Sequence, residues 1–381
     1  MSPRQEDSLK IGFIGGGGNS AVGYAHYSAI HLDQNWKLEA GCFSRDELIN
    51  QESGKNYLVE PDRVYNSFHK LIDEEVGQLD AVALLTPIPE HKNAILSLLE
   101  ARIPVICEKS LAMNEEEVID IGEKLKQTNG FLAITYNYTG YPMLREIRAL
   151  IESEALGRLL HFSIEMPQES FIRVDEAGQP MRPQKWRQED KDVPTIYLDL
   201  ASHLHQILFY LTKKVPLSVI TDETSKGHLD GVIDNVFAQV RYSDDFNGQV
   251  WFSKSSIGHR NGLKVRIYGE KASIEWKQVN PEVFRLSHNN GRLELRDRSC
   301  LSCISNPVQY ERFKAGHPSG FIEAFGNLYT DIYKALKQYQ LTKTWSSSEV
   351  YSCEIALEGI KFFKAMTLSN QSGSWEKVNL E

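Results

Sequence analysis

Through the opening part of the chain, short apolar runs alternate with segments whose apolar side chains return every three or four positions. Residues 9–14 (L-K-I-G-F-I), 38–43, 80–86 (D-A-V-A-L-L-T), 104–107 and 131–136 are such runs, rich in residues that suit strands buried on both faces. Between them, residues 21–32, 67–77 and 90–101 carry helical spacing, with Ala94, Ile95, Leu98 and Leu99 on one face of the last. Residues 51–59 read as a polar, partly helical surface segment. Asn114 is placed to cap a helix whose first turn is Glu115, Glu116 and Glu117, and Gly130 to close it. Strand and helix in alternation predict an α/β domain, a doubly wound parallel sheet of Rossmann type, over residues 1–136.

Beyond this point the rhythm changes. Residues 141–154 predict a helix and 157–166 a strand. From residue 218 the period becomes two: Val236, Ala238, Val240 and Tyr242 share one face, and polar positions hold most of the other. Residues 248–253, 264–268 and 272–276 continue the pattern, separated by turns such as D-D-F-N-G and Y-G-E-K. Residues 321–339 and 347–365 read as closing helices. The second domain, 137–381, is therefore expected to be α+β, with a large, mainly antiparallel open sheet.

The first strand runs straight into Gly15, Gly16, Gly17 and Gly18 before the first helix. A strand, a glycine turn, a helix and a parallel strand form the unit that holds a dinucleotide. The turn lets the backbone approach a pyrophosphate, and the helix start supplies N–H groups and a positive dipole end. The usual third glycine of G-x-G-x-x-G is either replaced by Ser20 or shifted to Gly23. Cofactor choice is read at the end of the second strand, where Ser44 and Arg45 precede Asp46. An arginine beside a small polar residue accommodates a 2′-phosphate, which tilts the expectation toward NADP over NAD.

A hydrophobic share of 41% is ample for two cores. Lys and Arg number 42 against 51 for Asp and Glu, and with a net charge of −9 and no basic stripe a nucleic-acid partner is not expected. No apolar run is long enough to span a bilayer, and the polar first eight residues offer no secretory core. Cys42, Cys107, Cys300, Cys303 and Cys353 are scattered, as free thiols in a reducing cytoplasm would be. Cys300 and Cys303 form a lone C-x-x-C without a second pair, so no metal site is expected.

Ligands of doubly wound sheets bind beyond the carboxyl ends of the strands. Thr86-Pro87 and Glu108-Lys109 stand at such ends. A lysine there can donate to a carbonyl or alkoxide oxygen. Asp199 and His203, four apart in an apolar stretch, lie on one face of a helix, where a carboxylate beside an imidazole suits a general acid/base. His205 follows with no partner that the sequence names. His317 lies in a G-H-P-S-G loop before a helix, a setting more typical of a site than of a core.

The glycine turn, E-K-S at 108–110, D-x-x-x-H at 199–203 and G-H-P-S-G-F-I-E-A-F at 316–325, in this order, resemble the glucose–fructose oxidoreductase / inositol dehydrogenase / rhizopine-catabolism (Gfo/Idh/MocA) family. Ser110 stands where that family usually has proline. The resemblance implies hydride transfer between a nicotinamide and the secondary alcohol or ketone of a sugar, sugar acid or inositol-like cyclitol. It implies catalysis by Lys109, on the reacting oxygen, and by His203, exchanging its proton with help from Asp199. It implies cofactor contacts from Gly15, Gly17, Gly18, Asn19, Ser20, Ala21, Ser44, Arg45, Thr86, Pro87, His91, Glu108, Lys109 and Asn137. Tyr138, Trp186, Arg187, Asp199, His203 and His317 are implied on the substrate side, and the open sheet is implied to join subunits into a homodimer or homotetramer. Two other readings stay open. One keeps the nicotinamide bound and recycled while a sugar derivative, such as a glycoside or anhydro-sugar, is cleaved or isomerised through transient oxidation. The other is a regulatory protein that binds dinucleotide without catalysis.

Overall fold

Strand β3 (Ala81–Leu85) sits at the heart of the first sheet because none of its side chains needs water, and it is buried at every position. The computed structural model describes residues 8–18, 20–300 and 312–380. Around β3, the chain builds β1 (Leu9–Gly15), α1 (Ala21–His31), β2 (Trp36–Cys42), α2 (Glu47–Asn56) and α3 (Phe68–Glu75) before it. After it come α4 (His91–Glu100), β4 (Val105–Cys107), α5 (Glu115–Thr128) and β5 (Leu132–Ile134). The five strands pair in parallel in the order β2-β1-β3-β4-β5, so the strand order reverses between β1 and β3. That reversal opens a crevice at the strands' carboxyl ends.

Local chemistry sets the helix starts. The side chains of Ser20, Asp46, Ser67 and Asn114 accept from first-turn N–H groups of α1, α2, α3 and α5. Asp46 starts α2 earlier than the polar stretch 51–59 suggested. At the far end of α5, Asn129 rather than Gly130 takes the left-handed conformation, at φ 47°.

The second part contains α6 (Pro142–Glu152), β6 (Leu159–Pro167), a π-helical turn (Tyr197–Ala201) and α7 (Ser202–Thr212). Strands β7 (Pro216–Thr224), β8 (Asn235–Tyr242), β9 (Asn247–Ser253), β10 (Lys264–Gly269), β11 (Ala272–Lys277), β12 (Val283–His288) and β13 (Leu293–Asp297) follow. The chain closes with α8 (Phe321–Thr342), α9 (Cys353–Ser372) and β14 (Glu376–Lys377). The nine strands order as β13-β12-β11-β10-β6-β9-β8-β7-β14, antiparallel except where β6 runs parallel to β9. The period of two is realised in β8, where Val236, Ala238, Val240 and Tyr242 are buried and Phe237, Gln239 and Arg241 are exposed. Helix α9 starts later than the expected residue 347, because the Ser347 hydroxyl accepts from the N–H groups of Glu349 and Val350 and closes a turn there.

The expected division at 136/137 does not describe the compact units. One comprises residues 1–140 with 321–357, the other 141–320 with 358–381. The cause is α8: Phe325, Leu328, Tyr329, Ile332 and Leu336 belong to the same buried cluster as Ile11, Phe13 and Ile30. A helix read from sequence as closing the second domain thus completes the core of the first.

Candidate active site

The glycine turn is built by contact rather than by spacing. Gly15 adopts φ +83°, and a Cβ there would lie 2.8 Å from the backbone of Leu85 and Thr86. A Cβ on Gly23 would lie 2.0 Å from the Gly16 carbonyl, so Gly23 is the glycine that lets α1 pack against the end of β1. Ser20 instead caps the helix, its hydroxyl accepting from Gly23 N–H at 3.2 Å. The loop is held by Tyr57, whose hydroxyl donates to the Gly16 carbonyl at 2.9 Å. Gly17 N–H donates to Phe43 O at 3.2 Å and Gly18 N–H to Ser53 Oγ at 2.8 Å, so these two amides are spent on the protein. Ala21 opens α1, whose first-turn N–H groups have no acceptor within the helix. Asn19 lies outside the described residues.

At the end of β2, Arg45 is exposed and donates to Glu90 Oε1 at 2.9 Å. Ser44 Oγ accepts from Asp46 N–H at 3.1 Å, and the Asp46 carboxylate accepts from Ile49 N–H at 3.0 Å. Asp46 is therefore engaged as the α2 cap.

Thr86 follows β3 and Asn137 lies just beyond β5, both at the carboxyl edge of the parallel sheet. Thr86 Oγ1 and Asn137 Nδ2 are buried without a hydrogen-bond partner among the described residues. Pro87 is exposed beside Thr86, and Tyr138 is buried in the turn with Asn137.

Lys109 stands half-buried on the same edge, after β4, and its peptide bond to Ser110 is cis. The residues flanking it face inward. Glu108 Oε1 lies 2.9 Å from His26 Nε2 and accepts from the Thr135 hydroxyl. Burial would raise the Glu108 carboxyl, but the bonds from His26 and Thr135 and the charge of Lys109 outweigh it and hold it below the usual range. His91 is fully buried, with Nε2 2.8 Å from Thr86 O and Nδ1 2.9 Å from Ser110 O. Burial, the dominant influence, lowers its pKa. Glu108 and His91, expected against the cofactor, thus turn their side chains into the core.

In the second unit the Asp199–His203 segment is π-helical at Asp199 and α-helical from Ser202, not one continuous α-helix. Both side chains are buried. Asp199 accepts two hydrogen bonds from Arg187, Nε to Oδ2 at 2.9 Å and Nη2 to Oδ1 at 3.0 Å, and a third from Lys254 Nζ. Arg187 also donates to Gln184 at 2.6 Å, and its guanidinium covers the Trp186 ring at 4.4 Å. Arg187, expected to meet substrate, so clamps Asp199. Lys254 was not foreseen; its trace in the sequence is a lysine closing the apolar run 248–253. His317 is exposed, and its carbonyl accepts from the buried Arg298 at 2.9 Å. Cys303 lies outside the described residues, and no cluster of metal-ligating side chains occurs among them.

Residues 9–136 match the family profile described as "Oxidoreductase family, NAD-binding Rossmann fold", and residues 144–275 match the GFO/IDH/MocA C-terminal domain. The chain belongs to the Gfo/Idh/MocA family. Its relatives include an uncharacterised oxidoreductase, YfiI, of Bacillus subtilis, 27% identical over 96% of this chain and 95% of that protein. A glucose-6-phosphate 3-dehydrogenase of the same organism is 24% identical over 73% of this chain and 77% of its own. The inositol dehydrogenase homologue of Azotobacter vinelandii, solved with NADH and myo-inositol, superposes with a TM-score of 0.88 at 25% identity, covering 99% of both chains. The protein is an oxidoreductase whose first unit is an NAD-binding Rossmann domain. Its residues fit that cofactor: Gly15 permits close backbone approach, and Thr86 Oγ1 and Asn137 Nδ2 are the unsatisfied polar atoms a dinucleotide would engage. No helix of the described residues is long and apolar enough to cross a membrane.

Proposed function

We propose that this protein is a dehydrogenase that interconverts a secondary alcohol and ketone of a sugar, sugar acid or cyclitol. The observation that carries the reading is Lys109 at the carboxyl edge of the NAD-binding sheet, on the same edge as the unsatisfied Thr86 hydroxyl and Asn137 amide. The bound nicotinamide supplies the hydride acceptor or donor. Lys109 donates a hydrogen bond to the reacting oxygen, where negative charge develops. His203 removes the hydroxyl proton in oxidation and returns it in reduction. Asp199 orients His203, and it can do so rigidly because Arg187 and Lys254 fix its carboxylate. Trp186 and His317 contribute to the substrate side. Ser44 and Arg45 select NADP over NAD, the exposed guanidinium exchanging Glu90 for a 2′-phosphate. The cysteines among the described residues, Cys42, Cys107, Cys300 and Cys353, are free thiols and support a reducing cytoplasmic setting, and the exposed face of the nine-stranded sheet supports a homo-oligomer.

Nicotinamide absorbance tests this, with a panel of inositols, aldoses, sugar acids and anhydro-sugars and with NAD and NADP separately. We expect turnover with at least one, lowered about 10²–10⁴-fold in Lys109→Ala and His203→Ala. Arg45→Ala should weaken NADP about tenfold and leave NAD within about twofold, as loss of one charge-assisted contact requires. A silent panel with dinucleotide binding intact would sink the proposal.

A further inference from the structure

A largely buried carboxylate, 12% exposed, directly before a functional lysine is costly to place and needs a reason. Glu108 continues the β4 ladder, its N–H donating to Leu84 O at 2.9 Å. Lys109 follows directly, so anchoring the Glu108 side chain fixes the backbone from which the Lys109 side chain departs. The anchor is a chain of hydrogen bonds. A carboxylate can only accept, so His26 carries its proton on Nε2 and donates to Glu108 Oε1 at 2.9 Å. Its Nδ1 lies 2.7 Å from the Tyr329 hydroxyl, a phenol that burial keeps protonated. Trp36 Nε1–H donates to the Tyr329 carbonyl at 3.1 Å and ties that residue to β2. Thr135 adds the second donor to Glu108 Oε1. His26 is 0% and Tyr329 1% exposed, and His26 packs edge-on against Phe325.

Resting on the reading of Lys109 given above, we propose that the buried chain Tyr329–His26–Glu108 is a positioning device for Lys109, with His26 its central residue. An apolar trio of the same volume would fill this core without aiming anything. The hydrogen bonds instead set the backbone at Glu108, and through it the line along which the Lys109 ammonium reaches the reacting oxygen. His91 restrains the other flank by bonding the Ser110 carbonyl. His26 touches neither substrate nor cofactor in this role; it acts through Glu108.

The experiment is a double-mutant cycle on the full-length enzyme with the most active substrate of the panel. It records kcat, KM, dinucleotide Kd by fluorescence quenching, and melting temperature. His26→Leu should lower kcat about 10- to 100-fold, the cost of misplacing a reacting group, with dinucleotide Kd within about twofold. His26→Gln, which can still donate to Glu108, should restore most of the loss. In a Lys109→Ala background the His26→Leu change should cost less than about twofold, since there is no ammonium left to aim. An equal loss in both backgrounds, or a loss explained by weaker dinucleotide binding, overturns the proposal. If His26→Leu does not fold, Tyr329→Phe and Thr135→Val are judged by the same cycle. Unchanged kcat in Lys109→Ala overturns the underlying reading of Lys109 and this proposal together. Unchanged kcat in His26→Leu, in an enzyme that needs Lys109, overturns this proposal alone.

Discussion

Glu358 shows at the residue scale how a fold can place a titratable group against its ordinary chemistry. Its Oε1 lies 3.5 Å from His205 Nε2 inside the second unit. Burial, and after it the charge of Glu358, push the Tyr242 phenol up in the same region. Burial also pushes the Glu358 carboxyl up to about 7. A carboxyl raised in the fold favours folding while protonated, so its ionisation erodes stability as pH rises from the ordinary carboxylate range through about 7. Glu358→Gln should therefore melt several degrees higher than the wild type at pH 8, and about level with it at pH 4.5, on the usual scale of degrees per kcal/mol. Scanning calorimetry at the two pH values decides it. The same advantage at both would show that ionisation is not the cause. The sequence names no partner for His205, because that partner sits on another helix.

Asp199 and Arg187 illustrate the reverse case. Their residue types are legible, and so is a role in a site. That Arg187 grips Asp199, and that Lys254 arrives from the end of β9 to share it, depends on side-chain geometry that no periodicity carries.

At the scale of elements, the decisive junction is β1–turn–α1. Sequence spacing leaves Ser20 and Gly23 as rivals for the third glycine position, and contact distances assign them separate work. Gly23→Ala would drive a Cβ into a backbone carbonyl that has no side-chain freedom with which to yield. We expect a loss of about 2 kcal/mol, typical of overpacking, and at least about tenfold weaker dinucleotide binding because α1 must shift off β1. A thermal melt and a fluorescence titration measure the two effects, and unchanged affinity would refute the assigned role. Helices and strands with strong patterns fell where the sequence indicated, whereas β12 and β13 did not announce themselves. Strand β13 is exposed or half-buried throughout, so alternation has little to act on.

At the scale of the whole molecule, the exposed face of the nine-stranded sheet carries Phe237, 51% exposed and stacked on Trp251 with ring centres 5.6 Å apart. Exposed aromatic side chains on a sheet face suit association between chains. Light scattering should report more than one chain per particle for the wild type, and a smaller mass for the Phe237→Glu, Trp251→Glu double variant with its circular dichroism unchanged. A monomeric wild type would dispose of the idea.

By itself the sequence determined the parallel sheet, the open antiparallel sheet, the glycine turn and the placement of Lys109 at a strand's carboxyl end. These follow from local rules: burial on both faces or on one, capping side chains, and glycine where backbone must approach backbone. Tertiary structure decided what depends on residues far apart in the chain. It assigned α8 to the first unit's core, set Glu108 on His26 and His26 on Tyr329, and gave Asp199 to Arg187 and Lys254. The physical reason is that a hydrogen bond or packed contact has no signature in sequence until both of its partners have been brought together by the fold.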